Sequence, residues 1–190
     1  MNILQAVPAT RFREQPWANG AGRTVELAAG PDPQRWQWRI SLARIEQPGV
    51  FSAFAGVRRQ LAPLDGGLLL DFADGRHMAA QRLQVLRFDG DPPPACRLPD
   101  GPGRDFNLML RDGFDGALLL RPLLGRMLLS PQPATRWFVY LLAGSATLAA
   151  DDERLVVAAG EAAWACPVAD SRVTIDGAGE IALVRLTDLA

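Results

Sequence analysis

Polar side chains alternate with apolar ones in two short segments, and this spacing could build a binding site for an anion. Residues 36–43 place Gln37, Arg39 and Ser41 opposite a face of tryptophan, isoleucine and leucine. Residues 105–111 repeat the pattern, with the polar face formed by Asp105, Asn107, Met109 and Arg111. Successive side chains of a strand point to opposite faces, so each segment predicts one polar face. That face could meet solvent in an open sheet or line the pocket of a closed barrel.

Arginine is the side chain best suited to bind a carboxylate, because its planar guanidinium group matches both carboxylate oxygens. We expect an anion site where Arg39, Arg59 or Arg111 converges with neutral polar groups. The neutral candidates are Asn19, Ser41, Ser52 and Asn107. The expected ligand is a small carboxylate or amide.

The segment 17–24, with sequence WANGAGRT, is the most distinctive string in the chain. Its glycines would allow a sharp turn or a close approach of the backbone to a ligand. The segment is not a phosphate-binding loop, because the chain contains no lysine and no helical pattern follows. The alternative role is a simple turn into a strand at residues 24–27.

The residues for metal or nucleophilic catalysis are scarce. His77 is the single histidine, in a turn-like context at residues 74–78, and we expect it on the surface without a catalytic role. One imidazole cannot supply the two or three histidines that a metal-dependent barrel enzyme uses, and Ser/His/Asp or Cys/His catalysis is weakened equally. The sequence therefore predicts neither a metal nor another cofactor.

Charge and composition limit the kinds of partner and the location that are expected for this chain. The net charge is -1, and the 20 basic residues are arginines scattered along the chain, so nucleic acid is not expected as a partner. The N-terminal residues lack a secretion-signal pattern, and Arg121, Pro122, Gly125 and Arg126 interrupt the leucine-rich residues 117–129. Cys96 and Cys166 fit reduced thiols, so we expect a cytoplasmic protein without a membrane association.

Short strands are the expected elements, because 18 glycines and 15 prolines leave few windows long enough for a helix. Acid–glycine turns are expected at residues 65–67, 74–75, 89–90, 100–101 and 176–177. Period-two segments predict strands at residues 36–44, 68–72, 83–88, 106–111, 136–142, 146–150, 155–159 and 181–186.

A loose repeat links residues 64–91 with residues 142–161: each has an apolar run, glycine, an acidic turn and a final glycine with an acid. The intervals differ, since Gly66 and Gly90 are 24 residues apart and Gly144 and Gly160 are 16 apart. Residues 137–167 look like the strand and turn pattern of a cupin. Cupins are small jelly-roll barrels with a pocket at the mouth.

Five strings in order resemble the HutD/Ves family: residues 17–24, 39–43, 49–59, 88–91 and 105–109. The resemblance implies an all-β, cupin-like (RmlC-like jelly roll) double barrel, or bicupin, of bacterial origin. It implies a single compact unit of two fused halves, roughly 1–108 and 109–190. It also implies an association with histidine utilisation and a ligand such as formylglutamate.

The family signature, with the polar faces above, gives the full set of expected ligand-binding residues. These are Trp17, Asn19, Thr24, Arg39, Ser41, Ser52, Arg59, Asp105, Asn107, Met109 and Arg111. Two positions depart from the family pattern. Ala21 replaces a usual glycine, and Asp112 replaces a common second arginine, which removes a positive charge near the expected site.

Three functions are compatible with the sequence. The favoured one is a metal-free regulatory or accessory protein that binds a small anionic metabolite without turnover. The second is a metal-independent isomerase or hydrolase, with Asp105 or Glu26 as general base and Arg39 or Arg59 stabilising negative charge. The third is a structural or partner-binding protein whose tryptophans form an interface. A homodimer is compatible with each of them.

Overall fold

The computed structural model describes residues 2–17, 20–168 and 171–189, and these form an almost entirely β protein. A single 3-10 turn at Ala9–Arg11 is the one helical element in the described part, and no helix there is long and apolar enough to cross a membrane. The strands are β1 Leu4–Val7, β2 Arg13–Pro16, β3 Gly22–Gly30, β4 Trp38–Ile45, β5 Gly49–Val50, β6 Arg58–Pro63, β7 Leu68–Asp71, β8 His77–Ala80, β9 Leu86–Asp89, β10 Ala95–Arg97, β11 Gly103–Leu110, β12 Phe114–Leu124, β13 Met127–Leu129, β14 Thr135–Ala150, β15 Glu153–Ala158, β16 Ala162–Ala165 and β17 Val173–Asp188.

The expected strands are all present, but several boundaries differ. The strand expected from residue 83 begins at Leu86, because Leu83 lies in a turn with φ of 66°. The two strands expected at 136–142 and 146–150 form one strand, β14. The turn expected at Asp176-Gly177 is wrong, because both residues lie inside β17 and pair with β14.

The chain divides into two compact units. One comprises Phe12–Asp112, and the other comprises Met1–Arg11 together with Gly113–Ala190. The division after residue 112 lies four residues beyond the expected boundary at 108. The first 11 residues belong to the C-terminal unit, where β1 pairs with β16.

The unit Phe12–Asp112 contains two sheets. Six strands pair in the order β2-β3-β4-β11-β6-β9, and four pair in the order β5-β10-β7-β8. Apolar side chains from both sheets form its core, including Leu61 and Phe88 from the larger sheet and Leu70 and Cys96 from the smaller. A sheet with one inward face must bury that face against another element, and here the two sheets do this for each other.

The other unit is built on two 16-residue strands, β14 and β17, which pair along almost their whole length. Its core draws apolar side chains from β1 and from β12 to β17, for example Val139, Leu148, Ile175 and Leu183. The register between β14 and β17 shifts at a bulge between Leu141 and Ala143. Bulges bend a strand and increase its twist, which lets one sheet curl around its own core.

The two units share a strand order. In the first, the neighbours are β4-β11-β6-β9, and in the second they are β12-β17-β14-β16. In both, the last strand of the unit lies between two earlier ones. The hairpin β7–β8 also has a counterpart in the hairpin formed by β15 and the end of β14. The two units therefore repeat one strand order.

Candidate functional site

The polar side chains expected to form the site lie in rows across three neighbouring strands. Strand β11 lies between β4 and β6, and its Met109 is opposite Arg39 on one side and Arg59 on the other. In the next row Asn107 is opposite Ser41, and in the row after that Asp105 is opposite Ala43. Residues two apart on a strand share a face, so these rows form one inward polar surface.

This surface borders a cavity of about 130 Å³ within the unit Phe12–Asp112. Pockets for drug-sized ligands usually enclose roughly 300–1,000 Å³, so this cavity suits a small metabolite. Its walls come from β2 to β6 and β11 and from the segments that follow β2 and β5. The lining residues are Gln15, Pro16, Trp17, Thr24, Arg39, Ser41, Ala43, Val50, Phe51, Ser52, Phe54, Arg59, Asp105, Asn107 and Met109.

Arg59 is the dominant cation of the cavity. Only 6% of the residue is exposed, and its guanidinium carbon lies 5.0 Å from the ring centre of Phe51 and 5.1 Å from that of Phe88. One terminal nitrogen donates to Asn107 Oδ1 at 3.1 Å, while the buried Nε has no hydrogen-bond partner within the described residues. Burial lowers the pKa of Arg59 to about 10, so the group stays positive at neutral pH.

Asp105 is the buried carboxyl group of the same cavity, with 2% of the residue exposed. Asn107 connects it to Arg59, because its amide nitrogen donates to Asp105 Oδ1 while its oxygen accepts from Arg59. Burial raises the pKa of Asp105 to about 7, although the Arg59 charge and the hydrogen bonds from Asn107 and the Ala43 backbone act in the opposite direction. The cavity thus contains a carboxyl group that can change its charge near neutral pH.

Two further contacts hold the cavity wall. Arg39 Nε donates to Glu26 Oε2 at 2.9 Å, and both side chains are only 13% exposed. Trp17 Nε1 donates to Thr24 Oγ1 at 2.8 Å, and the Trp17 ring packs edge-on against Phe51 at 6.4 Å. These contacts fix the position of Arg39 and Trp17 at the cavity.

Nine of the expected ligand-binding residues line this cavity: Trp17, Thr24, Arg39, Ser41, Ser52, Arg59, Asp105, Asn107 and Met109. Asn19 lies outside the described residues. Arg111 does not line the cavity: its side chain donates to the Ala55 carbonyl at 3.1 Å and stacks on Trp36. Its backbone N–H still donates to the Gln37 carbonyl, so the backbone contact with the β4 side continues past Leu110.

The apolar part of the wall was not expected from the sequence. Phe51 and Phe54 line the cavity, where their rings lie 5.0 and 5.8 Å from the Arg59 guanidinium carbon, and Phe51 also belongs to the hydrophobic core. Gln15, Pro16, Ala43 and Val50 also line it. The interleaved aromatics of residues 51–54, just before the basic pair, were the available signal, since arginine favours aromatic faces.

The histidine of the chain lies away from this cavity. His77 is the first residue of β8, its side chain is 73% exposed, and its Nδ1 lies 2.6 Å from Asp71 Oδ1. Within residues 2–17, 20–168 and 171–189, no group of three or more His, Cys, Asp or Glu side chains could hold a metal ion. The cavity donors are instead guanidinium, amide and hydroxyl groups, which suit an anion.

Comparisons with known proteins agree with this architecture. The HutD family model matches residues 9–183. The chain belongs to the HutD family. It is 36% identical over 114 residues to an uncharacterised 21.2 kDa protein in the hutC 3' region of Pseudomonas putida, covering 57% of this chain and 59% of that protein. It is 38% identical over 98 residues to protein Ves of Cronobacter sakazakii, covering 50% of this chain and 54% of Ves. The matched part therefore spans little more than half of each relative.

Solved structures extend the similarity over the whole chain. The conserved protein of unknown function PA5104 from Pseudomonas aeruginosa PAO1 superposes with a TM-score of 0.86 at 26% identity, covering 97% of this chain and 99% of that chain. HutD from Pseudomonas fluorescens SBW25, solved in a formate condition, has a TM-score of 0.79 at 26% identity, covering 98% and 100%. Oxalate decarboxylase of Bacillus subtilis, at 8% identity and a TM-score of 0.65, covers 98% and 77% and shares the fold alone. This HutD-family chain has the all-β cupin fold that its sequence predicted.

Proposed function

We propose that this HutD-family protein binds a small anionic metabolite in the cavity between Arg39, Arg59 and Asn107, without a metal. The observation that carries the proposal is the buried Arg59 guanidinium, which lines the cavity and has an unpartnered Nε. A buried cation without a full set of acceptors is costly, and a carboxylate would supply both the charge and the acceptors.

The size and charge of the cavity support a small carboxylate. Two arginines line the cavity, and Arg39 is neutralised by its ion pair with Glu26. Arg59 is therefore the one whose charge is less compensated by a direct contact. The aromatic rings of Phe51 and Phe54 hold the guanidinium group in place, which reduces the entropy that a ligand must overcome. Ser41 and Thr24 add hydroxyl groups to the wall.

The metabolite that we favour is formylglutamate or a related carboxylate, with a regulatory or accessory role in histidine utilisation. The family is linked to histidine utilisation, and one relative carries the hutC region in its name. The expected cytoplasmic location belongs to the same proposal and fits the two free thiols, Cys96 and Cys166.

Titration calorimetry with formylglutamate, glutamate and urocanate tests the proposal. We expect saturable binding of at least one of these carboxylates and a matching rise in melting temperature, because a ligand that binds only the folded state stabilises it. Absence of both heat and thermal stabilisation with all three would contradict the proposal.

Asp105 supports a second candidate, a metal-independent isomerase or hydrolase. A general base works best with a pKa near the working pH, and Asp105 has a pKa of about 7 in a cavity that also contains Arg59. If the enzyme proposal holds, Asp105→Asn should abolish turnover of a bound carboxylate and leave its affinity nearly unchanged. A carboxylate that binds and is recovered chemically unchanged after long incubation favours the binding protein.

The interface function has less support from the tryptophans on which it relied. Trp17 lines the cavity, and Trp38 is buried with 5% exposure. Trp36 is half-buried beneath the Arg111 guanidinium. These three rings therefore have other roles within their own unit.

A further inference from the structure

Asp105 shares the cavity with Arg59, the cation that would bind the ligand, so the charge of Asp105 affects binding. The two residues lie on neighbouring strands, β11 and β6, and Asn107 bridges their side chains by accepting from Arg59 and donating to Asp105. Both residues line the cavity and both are almost fully buried. A carboxylate that contacts Arg59 would therefore lie within a low-dielectric space that already contains a carboxyl group.

Few charged groups face Asp105 in the described part of the chain. Arg59 comes from β6 and the Cys96 thiol from β10, whereas Arg39 of β4, in its ion pair with Glu26 of β3, acts on Arg59. Strand β2 and the segments after β2 and β5 line the cavity with neutral side chains, Gln15, Trp17 and Ser52 among them. An ionised Asp105 is thus compensated mainly by Arg59.

The charge balance changes when an anion enters. With Asp105 ionised, Arg59 and Asp105 together carry no net charge, as do Arg39 and Glu26. An added carboxylate would then share one uncompensated guanidinium group with Asp105, and like charges in one buried site cannot both remain ionised without a large cost. With Asp105 protonated, Arg59 is free to compensate the ligand.

We propose that the cavity binds its carboxylate ligand together with one proton, which is taken from solvent and held on Asp105. This inference rests on the proposed function, because it concerns the same cavity and the same ligand class. The ligand carboxylate stays ionised against Arg59, no covalent bond of the ligand changes, and the proton returns to solvent when the ligand leaves. Affinity therefore depends on pH through a group of the protein.

Two titratable groups near Asp105, the Cys96 thiol of the core and the Arg59 guanidinium of the cavity, do not compete for this proton. Burial raises the pKa of Cys96 to about 12, so its thiol is already protonated at neutral pH. The pKa of Arg59 is about 10, so it stays charged between pH 6 and 8.5. Asp105, with a pKa of about 7 in the free protein, is the group poised to take up the proton, and a nearby anion raises that value further.

Calorimetric titration of formylglutamate at pH 6.0, 7.0 and 8.5 tests the inference on the unmodified protein. The carboxyl groups of this probe remain ionised over that range. From a pKa of about 7, the protonated fraction of Asp105 falls from about 0.9 to about 0.03, so the affinity should weaken roughly 30-fold. Titrations at pH 7.5 in two buffers of different ionisation enthalpy should show uptake of most of one proton.

Asp105→Asn provides the matched variant, because an amide keeps the shape and an acceptor for Asn107 but cannot titrate. Its affinity should vary less than about threefold between pH 6.0 and 8.5. Asp65→Asn is the control: Asp65 pairs with Arg104, does not line the cavity, and has a pKa below its usual value, so the pH dependence should persist. Carbon-13 NMR of labelled aspartate carboxyl groups, assigned through Asp105→Asn, follows the Asp105 titration directly without requiring the variant to bind.

Three results would overturn the inference. One is binding that is independent of pH and of buffer, which leaves the proposed function intact. Another is an unchanged pH dependence in Asp105→Asn, which would mean that a group other than Asp105 takes up the proton. A third is an Asp105 carbon-13 signal whose titration midpoint does not rise when formylglutamate saturates the protein. Absence of binding at every pH would instead overturn the proposed function, and the proton coupling with it.

Discussion

Arg59 combines features that are seldom found together in one residue: near-complete burial, contact with aromatic rings, and an unpartnered nitrogen. Arg58 is exposed at the start of β6, whereas Arg59 and the rest of that strand are buried. Asp105 and Asn107 lie in the part of the neighbouring strand β11 that is buried throughout, from Asp105 to Leu110. The chemistry of the cavity thus arises from inward positions of adjacent strands.

Substitution of Arg59 tests the residue on which binding depends. Arg59→Gln should weaken carboxylate binding at least about 30-fold, because loss of one partner of a buried charged pair costs about 2 kcal/mol or more. Arg111→Gln is the matched control, since Arg111 lies outside the cavity and contacts Ala55 and Trp36. Calorimetry should give it an affinity within about threefold of the wild type. Equal losses in both variants would argue against a specific role for Arg59.

The raised pKa of Asp105 also predicts how stability depends on pH. In the unfolded chain the group titrates near 3.8, and in the folded protein near 7, so the folded state binds the extra proton between these values. The contribution of Asp105 to stability therefore declines as pH rises from about 4 to about 7 and is constant above that. Asp105→Asn should raise the melting temperature more at pH 8 than at pH 5. A variant that is less stable than the wild type at pH 8 would contradict this reasoning.

Most of the expected site residues line the cavity, because the alternation of side chains along a strand can be read from a short stretch of sequence. The sequence pattern placed Asp105, Asn107 and Met109 on one face correctly. Arg111, which was expected at the same site, does not line the cavity and instead contacts the Ala55 carbonyl and the Trp36 ring. The sequence pattern could not predict the burial of Asp105 or the hydrogen-bond bridge through Asn107. Both depend on the pairing of β11 with β6, which brings together residues 48 positions apart.

At the level of elements, glycine explains where the sequence prediction of β14 and β17 was wrong. Asp176-Gly177 was expected in a turn, and Gly144 falls between two segments that were expected to be separate strands; both positions instead lie within the paired strands. Gly144 has φ of +80° and is opposite Gly179, where the backbones approach closely. A single sequence does not distinguish a glycine that ends a strand from one that allows two strands to touch, because both positions require a residue without a Cβ.

Gly144→Ala tests this close contact. A Cβ at Gly144 would clash with the Ala178 carbonyl oxygen, whereas a Cβ at Gly160, with a similar φ of +83°, would meet nothing within 4 Å. Gly160→Ala should cost about 1 kcal/mol from backbone strain alone. Gly144→Ala should cost about 1–3 kcal/mol more from overpacking. Urea unfolding measures both, and equal losses would mean that backbone strain, not contact, requires the glycine.

For the whole molecule, the repeated strand order does not repeat the row of Arg59, Asn107 and Asp105 in the described core of the other unit. The core of the unit Phe12–Asp112 adjoins polar rows with Arg59, Asn107 and Asp105. The inward positions that form the core of the other unit are apolar, with Val139, Leu141 and Leu183 among them. The sequence predicted the cupin fold from strand and turn signals, and the equivalence of the hairpins β7–β8 and β14–β15 becomes visible only in the strand pairing.

Removal of metals tests the ligand chemistry of the whole protein. The donor set of the cavity lacks histidine, and His77 pairs with Asp71 at the surface. Dialysis against a chelator should leave carboxylate affinity and melting temperature unchanged, and elemental analysis of the purified protein should find less than about 0.1 metal ion per chain. A stoichiometric transition metal, or loss of binding after chelation that is restored by adding the metal, would contradict the account.

The most direct test of the central claim is a crystal structure of the protein grown with saturating formylglutamate. The account predicts a carboxylate within hydrogen-bond distance of the Arg59 guanidinium group, in the cavity bordered by β4, β11 and β6, with Asn107 still bridging Arg59 and Asp105. A ligand bound elsewhere, or an Arg59 side chain that makes no contact with it, would contradict the account.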